Sequence, residues 1–191
     1  MGAKGNKTKQ HICNEAYKLF AENGYKNVTM KDICEAAGLS RGGLYRHYES
    51  TEQIFLEITK GFMEQKNIFL EKMEKNVSAV EILNEMLSKY EEEMLDSQNS
   101  LSLAIYEFYS NSAISKTENA MMKQYEYSKE LWIELVRYGI ERGEFKAISP
   151  EGIFDMLIFS YQGVRMYSRL MEIDPETPMR MMEEIRKLMI A

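Results

Sequence analysis

The sequence predicts an all-α protein of about nine helices. An N-terminal three-helix domain over residues 1–50 is joined by a long helix to a C-terminal helical domain over residues 51–191. Apolar residues recur at helical spacing through most of the chain, residues that cap helices stand in front of these stretches, and no alternating pattern competes as a strand. A chain of 191 residues that is 45% hydrophobic, with only three prolines, has enough apolar surface for a core.

The first helix presents a single apolar stripe, since its apolar residues follow one another at helical spacing. The stripe consists of Ile12, Ala16, Leu19 and Phe20. Lys4, Lys7 and Lys9 precede it. We expect Lys4 to belong to a solvated terminus, whereas Lys7 and Lys9 fit equally well a solvated terminus or a flexible arm that lies along phosphates.

Two helix starts follow within residues 28–48, which read VTMKDICEAAGLSRGGLYRHY. Thr29 can cap a helix whose third residue, Asp32, reaches back to the cap. Ser40 can cap a second helix, and Gly38 permits a tight turn between the two. Two short capped helices with such a link form a helix-turn-helix.

The second of these helices carries side chains that suit DNA. Helix-turn-helix proteins place the N-terminal part of this helix in the major groove, where an arginine can pair with guanine. Arg41 is therefore the best candidate for a base reader, and Gly42 and Gly43 let the backbone approach a base edge. The side chains expected on the outside are Arg41, Tyr45, Arg46, His47 and Tyr48. The alternative is an ordinary αα-hairpin with solvated charges.

From residue 12 to residue 55 the sequence resembles the TetR (tetracycline-repressor-like) family of bacterial transcription regulators. The resemblance rests on an apolar first helix that ends in Leu19, Phe20 and Gly24-Tyr25, on VTMKDICEAAGLS, and on GGLYRHYES leading into Glu52 and Phe55. It implies a dimer with an N-terminal DNA-binding domain and a divergent C-terminal effector domain, and repression is the commoner outcome in that family.

Two positions depart from the family pattern. Cys34 stands where the family usually has Ala, a change between small residues that preserves packing. Thr51 stands where a Lys commonly heads the fourth helix and touches a phosphate, so that contact is weaker or absent here. The residues expected to bind DNA are Thr29, Lys31, Ser40, Arg41, Gly42, Gly43, Tyr45, Arg46, His47, Tyr48 and Thr51.

Charge is distributed unevenly along the chain. Residues 1–50 carry eight Lys or Arg against five Asp or Glu, a net charge of +3, whereas the whole chain has a net charge of -6. A basic head on an acidic body is what a nucleic-acid contact confined to one end requires.

Other functional classes have little support in the sequence. No apolar run approaches the ~18 residues that span a bilayer, and MGAKGNKTKQ lacks the apolar core of a secretory signal, so we expect a cytoplasmic protein. Cys13 and Cys34 are interpreted as packing residues, and neither a metal site nor a cofactor is expected. An enzyme is disfavoured because no nucleophile motif or phosphate loop is present. A helical module whose head binds protein is a further alternative.

Helix boundaries in the body follow from capping residues. Ser50 with Gln53 opens the connecting helix, which runs to about Met73, and Ser78 with Glu81 opens the next. After an apolar segment over residues 101–109, a long helix is expected from about Thr117 to Arg142, followed by Gly143 at its C-terminus. The last two helices are expected to begin at Ser149-Pro150 and at Thr177-Pro178.

The stretch IFDMLIFSY over residues 153–161 is apolar on nearly every side, so it must be covered on more than one face. We expect the same helix of a second subunit to cover one face, with the last helix completing a four-helix seam. The residues assigned to this interface are Ile153, Phe154, Leu157, Ile158, Tyr161, Met182, Ile185, Leu188 and Met189. The alternative is a central helix of a monomeric core.

The body is also rich in Met and Tyr, which suit a pocket that adapts to an apolar or aromatic ligand. The candidate effector residues are Tyr106, Tyr109, Met121, Met122, Tyr125 and Trp132. The alternative for any single one of them is a core residue, which is the commoner role of a Met or aromatic residue at helical spacing. Glu107 either balances a cationic ligand or is a solvated helix charge. The sequence therefore predicts a transcription regulator, a ligand-released repressor that binds a palindromic operator in double-stranded DNA as a homodimer.

Overall fold

The computed structural model describes residues 3–61, 68–96, 99–111, 113–114 and 119–191. Over these ranges the chain forms ten α-helices. They are α1 (Ala3–Asn23), α2 (Met30–Ala36), α3 (Arg41–Tyr45), α4 (Thr51–Gly61), α5 (Ile68–Glu74), α6 (Ala79–Leu95), α7 (Ser102–Tyr109), α8 (Ala120–Glu141), α9 (Pro150–Tyr167) and α10 (Glu176–Met189). The only bridge of β type within these ranges pairs Phe145 with Ile190. The all-α prediction is confirmed.

The predicted connecting helix explains why there are ten helices instead of about nine. Its described parts are α4 and α5, and residues 62–67 between them lie outside the described residues. The start predicted at Thr117 also lies outside them, and α8 is described from Ala120 onward. None of the helices in the described ranges is long and apolar enough to cross a membrane.

The helices divide between two compact units. The first contains α1 to α4 together with α7, and the second contains α5, α6, α9, α10 and α8 from Met122 onward. The first unit thus extends past residue 50, where the sequence predicts the end of the N-terminal domain. That predicted boundary stays a prediction, since the two units are groupings of helices by contact.

Packing in the first unit is centred on α1. Ile12, Ala16 and Phe20 of the predicted stripe are all 0% exposed. The ring of Phe20 lies 5.1 Å from that of Phe55 on α4, and the ring of Phe55 lies 4.8 Å from that of Phe108 on α7. Such aromatic pairs contribute roughly 0.5–1.5 kcal/mol each beyond the area that they bury. One aromatic cluster therefore joins α1, α4 and α7.

The second unit has a separate apolar core formed by α6, α8, α9 and α10. Its largest fully buried side chains include Trp132 of α8 and Phe154 of α9, and Met182 of α10 is 0% exposed. The C-terminus is tied to the turn after α8, because Lys146 N donates to Met189 O at 2.8 Å and Ala191 N donates to Glu144 O at 3.1 Å. Gly143, which is predicted to follow the C-terminus of α8, has the positive φ of 71° that is expected at such a position.

The caps predicted at Ser149 and Ser50 are present, and in each the serine side chain accepts from a backbone N–H three residues later. Ser149 Oγ accepts from Gly152 N at 3.1 Å, with Pro150 at the first helical position. Ser50 Oγ accepts from Gln53 N at 3.3 Å, although the side chain of Gln53 accepts from Glu49 N instead of reaching back to Ser50.

The capping box predicted at Ser78 and Glu81 is wrong. Ser78 stands at the N-cap of α6 but makes no capping bond; its Oγ donates to Glu144 Oε2 at 2.6 Å, and the same oxygen accepts from Val80 N at 3.1 Å. Glu144 thus replaces the local cap. Burial would raise its pKa, but hydrogen bonds from Ser78, Arg142 and Val80 N outweigh this and lower the pKa of Glu144 to about 2.

The last helix begins at Glu176, two residues earlier than the helical start predicted at Thr177-Pro178. Asp174 holds this end, because its Oδ1 accepts from Glu176 N at 3.0 Å and its backbone oxygen accepts from Thr177 N at 2.8 Å. A carboxylate is a strong acceptor at a helix N-terminus, and a proline inside the first turn is tolerated because its missing N–H is not needed there.

We predict that Gly139→Ala destabilises the second unit. A Cβ at this position would lie 2.2 Å from Cδ2 of Phe145, whose side chain is 3% exposed and cannot move freely. Overpacking of this kind costs about 1–3 kcal/mol and outweighs the gain in helix propensity of about 1 kcal/mol. Urea unfolding measures the loss. The matched control is Phe145→Ala, in whose background the same glycine substitution should cost less; an equal cost in both backgrounds would contradict the prediction.

Candidate nucleic-acid interface

The start of α2 is fixed by the predicted reciprocal cap. Thr29 Oγ1 accepts from Asp32 N at 3.3 Å, and Asp32 Oδ2 accepts from Thr29 N at 2.8 Å. The hydrogen bonds from Thr29 lower the pKa of Asp32 below its usual value. The carboxylate therefore stays ionised at the end of the helix where a negative charge is favourable.

The start of α3 is fixed in the same way. Ser40 has an extended backbone, and its Oγ accepts from Gly43 N at 3.1 Å. The turn from α2 passes through Gly38 at φ 63°, and Leu39 N donates to Cys34 O at 2.9 Å. Leu44 is 0% exposed, so α3 is anchored at its far end by a buried leucine. Both helix starts of the predicted helix-turn-helix are confirmed.

Most of the predicted contact residues lie at the surface of the first unit. Tyr45 is 51% exposed. A Cβ placed on Gly42 would have no neighbour among the described residues within 4 Å, so this position faces open space. Exposed side chains on these elements also include Thr29, Lys31, Ser40, Arg41 and Arg46, while Gly43, His47 and Thr51 are half-buried. The arrangement presents cationic, hydroxyl and aromatic groups beside the capped start of α3.

Tyr48 is not on the outside, contrary to prediction. It is 3% exposed, its hydroxyl lies 3.3 Å from Cys13 Sγ, and burial raises its pKa. The reason is that α3 ends at Tyr45, so Tyr48 lies beyond the helix and packs onto α1 instead of continuing the exposed face. Tyr48 serves the core of the unit and is withdrawn from the contact set.

Lys9 is also engaged within the unit. It lies inside α1, with its Nζ 3.7 Å from Glu57 Oε2 and 4.9 Å from the centre of the Tyr48 ring. This geometry replaces the flexible arm that the sequence left open for Lys9. Cys34 is buried, and burial raises the pKa of Cys13, which fits the prediction that both are packing residues. Among the described residues, no group of three His, Cys, Asp or Glu is placed to hold a metal ion.

The predicted effector residues are divided between the two units. Tyr106 is 61% exposed on α7 in the first unit, whereas Trp132 is 1% exposed in the core of the second. The Nε1 of Trp132 donates to the hydroxyl of Tyr90 at 3.2 Å. Tyr109 belongs to the first unit, Tyr125 to the second, and Met121 and Met122 stand at the division. A single pocket built from all six stays a prediction.

Residues assigned to the dimer seam mostly face the interior of the single chain. Seven of them are each at most 6% exposed: Ile153, Phe154, Leu157, Tyr161, Met182, Ile185 and Met189. Ile158 is half-buried and Leu188 is 45% exposed. The assignment is therefore wrong for the seven buried residues, whose apolar surface is already covered by the chain's own core. The opposite face of α9 carries exposed Met156, Phe159 and Tyr167.

Comparisons with known proteins agree with this architecture. The sequence model of the bacterial regulatory proteins of the tetR family matches residues 12–58, and that of the tetracyclin repressor-like C-terminal domain matches residues 82–179. The transcriptional regulator YfiR of Bacillus subtilis (strain 168) is 27% identical over 146 residues, which cover 76% of this chain and 71% of that protein.

The transcriptional repressor KstR2 of Rhodococcus jostii (strain RHA1) is 28% identical over 149 residues, again 76% of this chain and 71% of that protein. A structure solved for the molecular basis for control of antibiotic production by bacterial hormones has the same fold, with a TM-score of 0.77 at 19% identity over 97% of this chain and 98% of that one. One family model matches the helix-turn-helix, and the other, over residues 82–179, matches about half of the whole chain. This chain therefore belongs to the TetR family and is a DNA-binding transcription regulator, not an enzyme.

Proposed function

We propose that this regulator is a repressor that binds a palindromic operator as a homodimer in the cytoplasm and is released by a small ligand. The observation that carries the proposal is the capped, exposed start of α3, with Arg41 and Tyr45 at the surface. The similarity to the repressor KstR2 supports repression. A dimer can bind a palindromic operator because a two-fold symmetric helix-turn-helix protein presents two recognition helices. These helices lie ~34 Å apart, or a multiple of that distance, and each enters one half-site.

Each of the remaining predicted contact residues has a proposed role at the DNA. Arg41, at the first position of α3, reads a base in the major groove, and Gly42 and Gly43 allow the backbone to come close. The residues proposed for phosphate contacts are Thr29, Lys31, Ser40, Tyr45, Arg46, His47 and Thr51.

The prediction for base reading concerns Arg41. Selection of bound fragments from a random DNA pool should recover a palindrome. Arg41→Ala should bind this duplex more weakly by ~1–3 kcal/mol and lose base preference at one position of each half-site. Arg137→Ala removes the same charge from an exposed site on α8 and serves as the matched control, with unchanged preference. If Arg41→Ala binds the selected duplex as tightly as the parent, the base-reading role is wrong.

We place the dimer contact on the outer face of α9 instead of the inner one. Along this face of α9, Met156 is 50% exposed, Phe159 65% and Tyr167 58%. Large apolar side chains grouped at a surface indicate an interaction site. A two-fold axis beside α9 would let the same residues of both subunits cover one another.

Phe159→Glu should therefore shift the protein to a monomer in analytical ultracentrifugation, because a carboxylate would be placed in the centre of the apolar contact. Circular dichroism should be unchanged, since the residue is exposed in the single chain. Leu95→Glu, at an apolar position that is 47% exposed on α6, is the control and should remain dimeric. A Phe159→Glu protein that still sediments as a dimer would place the contact elsewhere.

For the effector we propose a site in the second unit around Trp132. There, a cluster of polar aromatic groups sits in an apolar core: Tyr90 accepts from Trp132 Nε1, Tyr161 donates to Glu93, and Arg165 donates to Tyr161. Burial raises the pKa of Tyr90 to about 12, so its hydroxyl stays protonated. Such groups can exchange internal partners for an apolar or aromatic ligand that carries a hydrogen-bonding group.

Trp132 is the only tryptophan of the chain, so its fluorescence reports directly on this cluster. In a titration with a panel of aromatic acids and neutral ring compounds, a compound that changes Trp132 emission should also weaken binding to the selected duplex. By linkage, the duplex must weaken binding of that compound by the same factor. Trp132→Phe provides the spectroscopic blank. A compound that changes the emission of Trp132 without altering DNA affinity would contradict the assignment.

A further inference from the structure

The corner between α1 and α2 has few backbone partners of its own. α1 ends at Asn23, Gly24 follows with φ 75°, and α2 is capped at Thr29. Gly24 N donates to Phe20 O at 3.0 Å, as expected at a helix end. Lys26 N lies beyond the helix and donates instead to Glu107 Oε2 of α7 at 3.0 Å. Glu107, which is half-buried on α7, therefore has a hydrogen-bond partner within the chain that its sequence position does not indicate.

Gly24 and Glu107 fit each other closely. A Cβ at position 24 would lie 2.7 Å from Glu107 Oε2, 3.1 Å from its Cδ and 3.2 Å from its Oε1. The left-handed backbone favours glycine at position 24, and a Cβ there would also displace the carboxylate at the end of the flexible Glu107 side chain. The corner is shaped around the carboxylate as well as bonded to it.

α7 is attached to the first unit at two further points. Ahead of its N-terminus, Asn99 O accepts from the hydroxyl of Tyr17 on α1 at 2.8 Å. At its other end, the ring of Phe108 lies 4.8 Å from that of Tyr25, which belongs to the same corner as Lys26. The aromatic contact packs α7 against the unit but does not orient any single group. The hydrogen bond from Lys26 N to Glu107, in contrast, fixes the position of one backbone amide.

We propose that Glu107 is a positioning residue for DNA binding, which holds the entry of α2 through Lys26 N and thereby sets the orientation of the helix-turn-helix. The inference rests on the operator binding proposed above. The amide of Lys26 is three residues ahead of the Thr29 cap, so a displaced corner displaces the start of α2. α3 follows α2 through a turn of a few residues and moves with it.

The test compares Glu107→Ala with Glu107→Gln on the duplex selected from the random pool. Glu107→Ala should bind that duplex roughly tenfold more weakly, since losing one hydrogen bond to a charged group corresponds to a change of about this size. Its affinity for random duplex should stay unchanged. Glu107→Gln should retain most of the affinity, because the amide oxygen still accepts from Lys26 N. Loss of a negative charge by itself favours DNA binding, so the predicted sign is opposite to a purely electrostatic effect.

Matched variants separate positioning from charge and from backbone strain. Glu15→Ala removes a carboxylate from α1 that pairs with Lys18 on the same helix, and it should not weaken binding to the selected duplex. Gly24→Ala and Gly143→Ala both force alanine to a φ above 70°, but only the first displaces Glu107. Only Gly24→Ala should therefore reproduce the Glu107→Ala defect.

Amide hydrogen exchange of Lys26 provides a readout that needs no DNA. It should be faster in Glu107→Ala and close to wild type in Glu107→Gln. If no duplex is selected from the pool, the operator proposal fails while the exchange result stands on its own. Unchanged Lys26 exchange in Glu107→Ala would overturn the positioning role, and so would faster exchange with an unchanged ratio of selected to random DNA affinity.

Discussion

The packing of two short helices onto α1 is the constraint on which the rest of the first unit depends. α2 has seven residues and α3 has five, and helices of this length do not form by themselves in water. Their order comes from Ile33 and Leu44, both 0% exposed, which pack into the same core as the α1 stripe. The side chains that we propose to contact DNA are therefore positioned by buried residues.

The aromatic cluster extends this constraint to α4 and α7. Phe55 lies between Phe20 and Phe108, with ring centres 5.1 Å and 4.8 Å away. A close-packed cluster of this kind resists gradual deformation, so a displacement of α7 is transferred to α1 instead of being absorbed between them. The helix-turn-helix is consequently one part of a five-helix unit, and its orientation is a property of the whole unit.

Features fixed by neighbours in sequence could be predicted, and features fixed by distant partners could not. The caps at Thr29, Ser40 and Ser149 use acceptors three residues from their donors, so residue types at fixed spacing were sufficient. Glu144 replaces the expected cap of α6 from 66 positions away, and no local pattern shows that. The exposure of Tyr48 was mispredicted because the end of α3 carries no strong stop residue.

α9 shows a different limit of prediction. The segment over residues 153–161 is apolar all round, and periodicity alone does not say which face meets the chain's own core. The structure buries Phe154 and Leu157 and leaves Met156 and Phe159 exposed. The outcome depends on the shape of α6 and α10 against which α9 packs. That a partner covers the outer face stays a prediction, and which face is the outer one depends on this packing within the chain.

The glycine pair in α3 shows how a local energetic cost is offset beside a functional group. Gly42 and Gly43 together disfavour the helix by about 2 kcal/mol. The Ser40 cap contributes about 1 kcal/mol and the burial of Leu44 about 1.5–3 kcal/mol, so the short helix is held from both ends. A Cβ at Gly43 would lie 3.3 Å from Ser40 Oγ, so this glycine protects the cap, whereas Gly42 faces open space among the described atoms. Packing within the chain thus accounts for Gly43 but not for Gly42, and the reason we propose for Gly42 is the close approach of the backbone to a base edge.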